Sequence, residues 1–268
     1  MDLKFSVLMS IYNKETSSNL EQCLNSLLTQ TILPTEIVVV LDGNIRDELL
    51  LILKKYKVRI IKLKHHVGLA QALKIGVSKC KYDLIARMDT DDIALPNRFK
   101  LQIKQFQEDD TLALVGGQIV EFDKKGLKNK RIVPTDYKDI CIYSKTRNPF
   151  NHMTVMFKKN IIINVGNYED IKGFEDYYLW IKILRSNYKV KNLNDILVKV
   201  RIDDNHKKRR GSLKYISYTY KFEKKLYKQK YINLLQFITN LLIRFSISII
   251  PNKLRVKFYD NILRKWGV

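Results

Sequence analysis

Cysteine, glycine and proline are scarce in this chain of 268 residues, which holds 3, 10 and 5 of them. Cys23, Cys80 and Cys141 are far apart, odd in number and without CxxC spacing, which argues against a disulfide framework or a zinc site. With so little glycine and proline, and 46% hydrophobic residues, no stretch has the composition of a disordered or low-complexity segment. A chain folded throughout is expected, as one large α/β domain with a helical appendage. The N-terminus runs straight into an apolar stretch without the features of a signal peptide, so a protein of the reducing cytosol is expected. Acids are also few, 27 against 49 Lys and Arg, and the net charge of +22 calls for an anionic partner.

The first ~90 residues alternate short apolar runs with longer amphipathic ones, the rhythm of a parallel sheet covered by helices. Residues 5–11, 36–41, 58–63 and 82–88 read as strands. Residues 18–30, 45–56 and 68–79 carry apolar side chains at helical spacing. A further helix is expected from Pro96 to Glu108, because proline suits a first turn. Strands follow at 112–122 and 154–157, with an irregular stretch between them. Helices are expected near Asn160 and over 175–187, then extended chain to Ile202. No internal repeat is present.

In an open parallel sheet, ligands bind beyond the carboxyl ends of the strands. Tyr12 and Asn13 follow the first strand, Asp42 and Gly43 the second, and Asp89, Thr90, Asp91 and Asp92 the fourth. That edge suits a nucleotide, with Asp89 and Asp91 reaching a hard divalent cation that also takes diphosphate oxygens. On its own, Asp-x-Asp equally suits a solvated loop or a cap before Pro96. Glu175 and Asp176 have two readings, a reactive pair of carboxylates or acids favoured by a helix N-terminus. Trp180 is either an acceptor platform or core. His152 and His206 stand as hydrogen-bonded structural residues or as site residues.

The stretches SVLMSIYN (6–13), EIVVVLDG (36–43), GLAQALKIGV (68–77) and ARMDTDDIALPNR (86–98) resemble the signature blocks of the family 2 glycosyltransferases, which have the GT-A fold. NPFNHMTVMF (148–157), FEDYYLW (174–180) and KRRGSLKY (208–215) are similar to the subset that builds bacterial exopolysaccharide, capsule and lipopolysaccharide, including amylovoran-type enzymes. The resemblance covers about the whole chain. It implies a mostly parallel Rossmann-like sheet flanked by helices and an inverting, metal-dependent (Mn²⁺ or Mg²⁺) transfer from a nucleoside diphosphate sugar, usually a UDP-sugar. The catalytic domain would span residues 1–206, with a nucleotide-sugar half to about 110 and an acceptor half from 111. By motif, Tyr12, Asn13, Asp42, Arg87 and Asp89 would bind the donor, and Asp91 and Asp89 the metal, with His206 completing that site. Asp176 would be the catalytic base with Glu175 in support, and His152 and Trp180 would line the acceptor side. Lys208, Arg209 and Arg210 would close over the diphosphate, or else form a charge run drawn to phospholipid.

From Lys207 to Val268 sixteen Lys and Arg face two acids, Glu223 and Asp260. Residues 231–250 are mostly apolar but interrupted by Asn233, Gln236, Thr239, Asn240, Arg244, Ser246 and Ser248, which fits an interfacial helix better than a spanning one. A helix packed on the catalytic domain or at a dimer interface is the alternative. Residues 207–268 are therefore expected to attach peripherally to the anionic inner face of the cell membrane, where a glycolipid or polyprenyl-diphosphate-linked acceptor would be met. Nucleic acid is not an expected partner, since no nucleic-acid module is present and acids occupy the cleft edge. A nucleotidyltransferase would need a glycine-rich phosphate loop after the first strand, and none is visible.

Overall fold

The computed structural model describes residues 3–202 and 213–249. Strands β1 (Phe5–Ile11), β2 (Glu36–Leu41), β3 (Arg59–Lys62) and β4 (Leu84–Arg87) pair in parallel in the order β3-β2-β1-β4. Between them run α1 (Ser17–Leu28), α2 (Asp47–Lys55) and α3 (Leu69–Lys79). Because side chains alternate across a strand, Val7, Met9, Ile37 and Val39 pack with α1 and α2 on one face, while Leu8, Val38 and Val40 meet α3 on the other. In α1 the apolar stripe is Leu20, Cys23, Leu24 and Leu27, and the helix starts where the Thr16 hydroxyl accepts from Asn19 N. At Gly76, α3 comes so close to the sheet that a Cβ would lie 2.4 Å from Leu8 Cδ1.

The second half contains β5 (Ile93–Ala94), α4 (Arg98–Glu108), β6 (Leu112–Asp123), β7 (Gly126–Arg131) and α5 (Tyr137–Tyr143). A 3₁₀ turn (His152–Thr154), β8 (Met156–Lys158), α6 (Lys159–Asn164), α7 (Glu175–Arg185) and β9 (Lys189–Arg201) complete it. The sheet continues β4-β8-β6-β9-β5, with β7 on β6. Its longest ladders are parallel, but β8, β5 and β7 pair antiparallel, so the sheet is mixed rather than uniform. The helix expected from Pro96 begins at Arg98 after an Asn97 cap, leaving Pro96 outside it. Thr154, expected in a strand, belongs to the 3₁₀ turn, and the stretch read as irregular holds both β7 and α5.

Two further helices, α8 (Leu213–Lys228) and α9 (Leu234–Ile249), follow. Phe222 and Leu226 of α8, with Ile232, pack against Phe174, Tyr177, Tyr178 and Ile181, and the Phe174 and Phe222 rings stack at 4.4 Å. Between α8 and α9 the buried Glu223 meets Asn240 Nδ2 at 2.9 Å and Arg244 Nε at 3.1 Å. Asn240 and Arg244 donate in turn to the carbonyls of Lys145 and Thr146. Leu234, Leu235, Ile238, Leu242 and Ile243 of α9 remain exposed. Among the described residues no helix is long and apolar enough to cross a membrane.

Candidate functional site

The turn after β4 carries Asp89, Thr90, Asp91 and Asp92, and buried groups fix it from several sides. Arg98, fully buried, donates from Nη2 to the Arg87 carbonyl at 2.7 Å. Cys23 Sγ donates to the Asp89 carbonyl at 3.1 Å, and Thr90 Oγ1 donates to Glu15 Oε2. From the end of β9, Arg201 N donates to Asp92 Oδ1 at 2.9 Å and Arg201 Nε to the Asp91 carbonyl at 3.1 Å. A turn gripped in this way presents its carboxylates in a preset arrangement.

Ligand oxygens of Asp89, Asp91 and Asp92 all lie within 4.8 Å of one another. Burial, Asp89 and Glu15 push the Asp91 carboxyl up to about 7, and burial with Asp89 and Asp91 raises Asp92 well above the usual range. Buried carboxylates this close together raise one another. Three hard oxygen donors so placed fit a divalent cation of the magnesium or manganese type.

Asp89 differs from its two neighbours. Burial opposes its charge, but the Arg87 guanidinium, with Nη2 at 2.5 Å from Oδ1, and His152 hold it well below the ordinary aspartate value. Arg87 is itself buried, so it braces Asp89 from behind, with Nη1 unpartnered. Asp89 Oδ2 lies 3.1 Å from His152 Nε2, and His152 Nδ1 lies 2.9 Å from Asp176 Oδ2. Asn148 Nδ2 donates to the same Asp176 oxygen at 2.9 Å. Burial and Arg87 would lower the imidazole, but its bonds to Asp176 and Asp89 prevail and raise it to about 9. Burial would likewise raise Asp176, yet the hydrogen bond and charge of His152 bring it down to about 2. Glu175 beside it is raised by burial and by Asp176. Both acids stand in the first turn of α7, as the helix-terminus reading requires. That reading leaves the His152 contact unexplained.

At the nucleotide edge, Tyr12 is exposed at the end of β1 and Asn13 Oδ1 accepts from Arg46 N at 3.0 Å. Asp42 is buried, and its carboxylate accepts from Val67 N at 2.7 Å and Gly68 N at 3.1 Å and meets His66 Nδ1 at 2.8 Å. Gly43, at φ +87°, lets this turn close: a Cβ there would lie 2.9 Å from His66 N.

The structure therefore gathers Asp89, Asp91, His152, Glu175, Asp176 and Arg87 around one end of the sheet. Trp180 is not among the exposed groups. It is fully buried, edge-on to Phe150 at 5.8 Å in the core that α3 also joins, so its ring offers no face to an acceptor sugar. One turn beyond Asp176 on the same face of α7, it is packed into that core. His206, Lys208, Arg209 and Arg210 lie outside the described residues. Sequence reasoning missed Glu15, Cys23, Arg98, Asn148 and Arg201 as parts of the site, and named Asp92 at the strand edge without giving it a role. Arg98 and Asn148 sit at the ends of two quoted blocks, whereas Arg201 is 110 residues from Asp91 and gave no local signal.

A family model described as "Glycosyl transferase family 2" matches residues 6–166. An Erwinia amylovora protein, "Amylovoran biosynthesis glycosyltransferase AmsE", is 40% identical over 84% of this chain and 85% of its own length. An Escherichia coli protein, "UDP-Gal:alpha-D-GlcNAc-diphosphoundecaprenol beta-1,3-galactosyltransferase", is 33% identical over 98% of both chains. Among solved structures, residues 1–349 of S. aureus TarS in complex with UDP-GlcNAc superpose with a TM-score of 0.69 at 18% identity, over 96% of this chain and 75% of that one. That likeness bears on the fold alone.

Proposed function

The chain belongs to glycosyl transferase family 2, and on that premise we propose that it moves a sugar, with inversion, from a UDP-sugar to a lipid-linked saccharide acceptor. One observation carries the proposal: a single imidazole joins Asp89 of the carboxylate cluster to Asp176 on α7. A donor seat and a proton acceptor thus lie within one side chain of each other, which a direct displacement at a sugar carbon requires.

In this reading the exposed ring of Tyr12 stacks on the base, and the turn that Asp42 holds lines the ribose side. Asp91, with Asp89 and Asp92, holds a divalent cation. Such a cation supplies charge neutralisation for the departing diphosphate. Asp176 receives the acceptor hydroxyl proton as that oxygen bonds to the anomeric carbon from the face opposite the leaving group. The bond to the diphosphate breaks with its electron pair on the diphosphate oxygen. Glu175, raised by burial and by Asp176, sits beside the base as an acceptor-side donor or acceptor of hydrogen bonds.

The relatives support the substrate classes through their printed activities, in amylovoran synthesis and in galactosyl transfer to a diphosphoundecaprenol-linked sugar. Residues 1–206 form the catalytic part and residues 207–268 a basic region held to the anionic inner surface of the membrane, a placement that the exposed apolar side chains of α9 support. The test is transfer from a panel of nucleotide sugars to a synthetic lipid-diphosphate-linked acceptor. UDP binding is followed in parallel by thermal shift with Mn²⁺. Asp176→Asn should keep the UDP shift and lose ~10²–10⁴-fold in transfer, the usual worth of a general base. Wild-type transfer by that variant would remove Asp176 from the role.

A further inference from the structure

His152 opens a 3₁₀ turn that has little freedom to move. The buried Asn151 donates from Nδ2 to the Gly117 carbonyl at 2.9 Å, and Thr154 N donates to the Asn151 carbonyl at 2.8 Å. Gln102 Nε2 donates to the Thr154 carbonyl at 2.8 Å, Gly117 N to Thr154 Oγ1 at 3.1 Å, and Arg87 N to the Val155 carbonyl at 2.9 Å. The turn is thereby tied to α4, β6 and β4 together, and the imidazole starts from a fixed backbone.

The two ring nitrogens then reach different parts of the site. Nε2 meets Asp89 Oδ2, on the same turn as the cation-binding acids, while Nδ1 meets Asp176 Oδ2 on α7. Asn148 Nδ2 shares that Asp176 oxygen, so two side chains set the rotation of the carboxylate. Among the described residues no backbone hydrogen bond joins the β4 turn to the start of α7, and the rigid, planar ring bridges them through its side-chain contacts.

Building on the transferase reading, we infer that His152 is a positioning residue: it sets the Asp176 carboxylate at a fixed distance and rotation relative to the donor seat, and it does so through Nδ1. The ring need not touch either substrate. Its loss leaves the base carboxylate to Asn148 and the Tyr177 backbone N–H, neither of which ties it to the donor seat, and misplacing a reacting group by about 1 Å costs up to ~10²-fold in rate. Partners that orient a functional ligand are worth about 10–100-fold.

Asparagine and glutamine separate the two contacts, because the Asn amide nitrogen falls near the position of His Nδ1 and the Gln amide nitrogen near that of Nε2. The experiment measures kcat and donor KM for sugar transfer by the full-length wild type and by His152→Ala, His152→Asn and His152→Gln, with thermal melts of each. His152→Ala should lose about 10–100-fold in kcat while its donor KM changes less than about threefold. His152→Asn should recover most of kcat and His152→Gln little of it. The inference is overturned if His152→Ala turns over like the wild type, if its donor KM rises as much as kcat falls, or if Asn rescues no better than Gln. Should the alanine variant fail to fold, the Asn and Gln pair decides alone. Wild-type transfer is the separate control: its absence would overturn the transferase reading, whereas wild-type transfer with no Asn-over-Gln preference would overturn only the role of His152.

Discussion

Replacing Asp91 by asparagine should make the cation-free protein more stable while destroying its response to cation and nucleotide. Asp91 shares its surroundings with Asp89, Asp92 and Glu15, and its carboxyl stands at about 7 instead of near 3.8. A carboxyl raised on folding contributes stability while protonated, fully so below its unfolded pKa, and that contribution is lost as pH rises through about 7. A shift of about three units at ~1.4 kcal/mol each sets an upper limit of ~4 kcal/mol at pH 8. Partial exposure and counter-ion screening reduce this to ~1–2 kcal/mol. In a chain of this size each kcal/mol moves the melting temperature by ~2–4 °C. The expected result in chelator at pH 8 is therefore an Asp91→Asn protein melting ~2–8 °C above the wild type, the gap closing towards pH 5 as the wild-type carboxyl takes up its proton. Adding Mn²⁺ and UDP should raise the wild type and leave the variant unmoved. Differential scanning at pH 5 and pH 8, with and without chelator, reads all of this. A variant that melts lower than the wild type at pH 8 in chelator, or that gains the same increment with Mn²⁺ and UDP, would refute the idea of an acidic cluster held ready for a cation.

Two other substitutions probe the fold and the membrane face. Gly76→Ala should cost about 1–3 kcal/mol, because its Cβ would lie 2.4 Å from Leu8 Cδ1 and 3.0 Å from Val40 Cγ2, and urea denaturation will show whether the sheet can yield that space. Leu235→Glu with Leu242→Glu, both on the exposed face of α9, should weaken co-sedimentation with vesicles containing phosphatidylglycerol at least fivefold without changing transfer to a soluble acceptor analogue. Unchanged sedimentation would rule out that face as a lipid contact.

Asp42, Asp89 and Asp91 were legible in the sequence because they follow the ends of buried strands, where the change from apolar to acidic residues is abrupt. β1 and β2 begin and end where their apolar runs do. β7 escaped notice because it is a polar, exposed strand, GLKNKR, with no alternation to read. β8 has only three residues, yet its insertion between β4 and β6 is what carries His152 to Asp89 and to α7. Nothing local announces a bridge between residues 63 and 24 positions away from its centre. Trp180 illustrates the opposite error: its place beside Glu175 and Asp176 suggested a sugar platform, but one turn beyond Asp176 the same face of α7 is already packed into the core. The grip of Arg98 on the Arg87 carbonyl is equally invisible locally, since a buried arginine is rare unless its donors are satisfied.

The most direct measurement is anomalous diffraction from crystals grown with UDP and Mn²⁺. The account predicts a manganese peak coordinated by Asp91 and by both phosphates of the nucleotide, with the uracil against Tyr12 and the β-phosphate on the side facing Asp176. A nucleotide bound away from residues 89–91, or a manganese ion with no aspartate of this turn among its ligands, would contradict it.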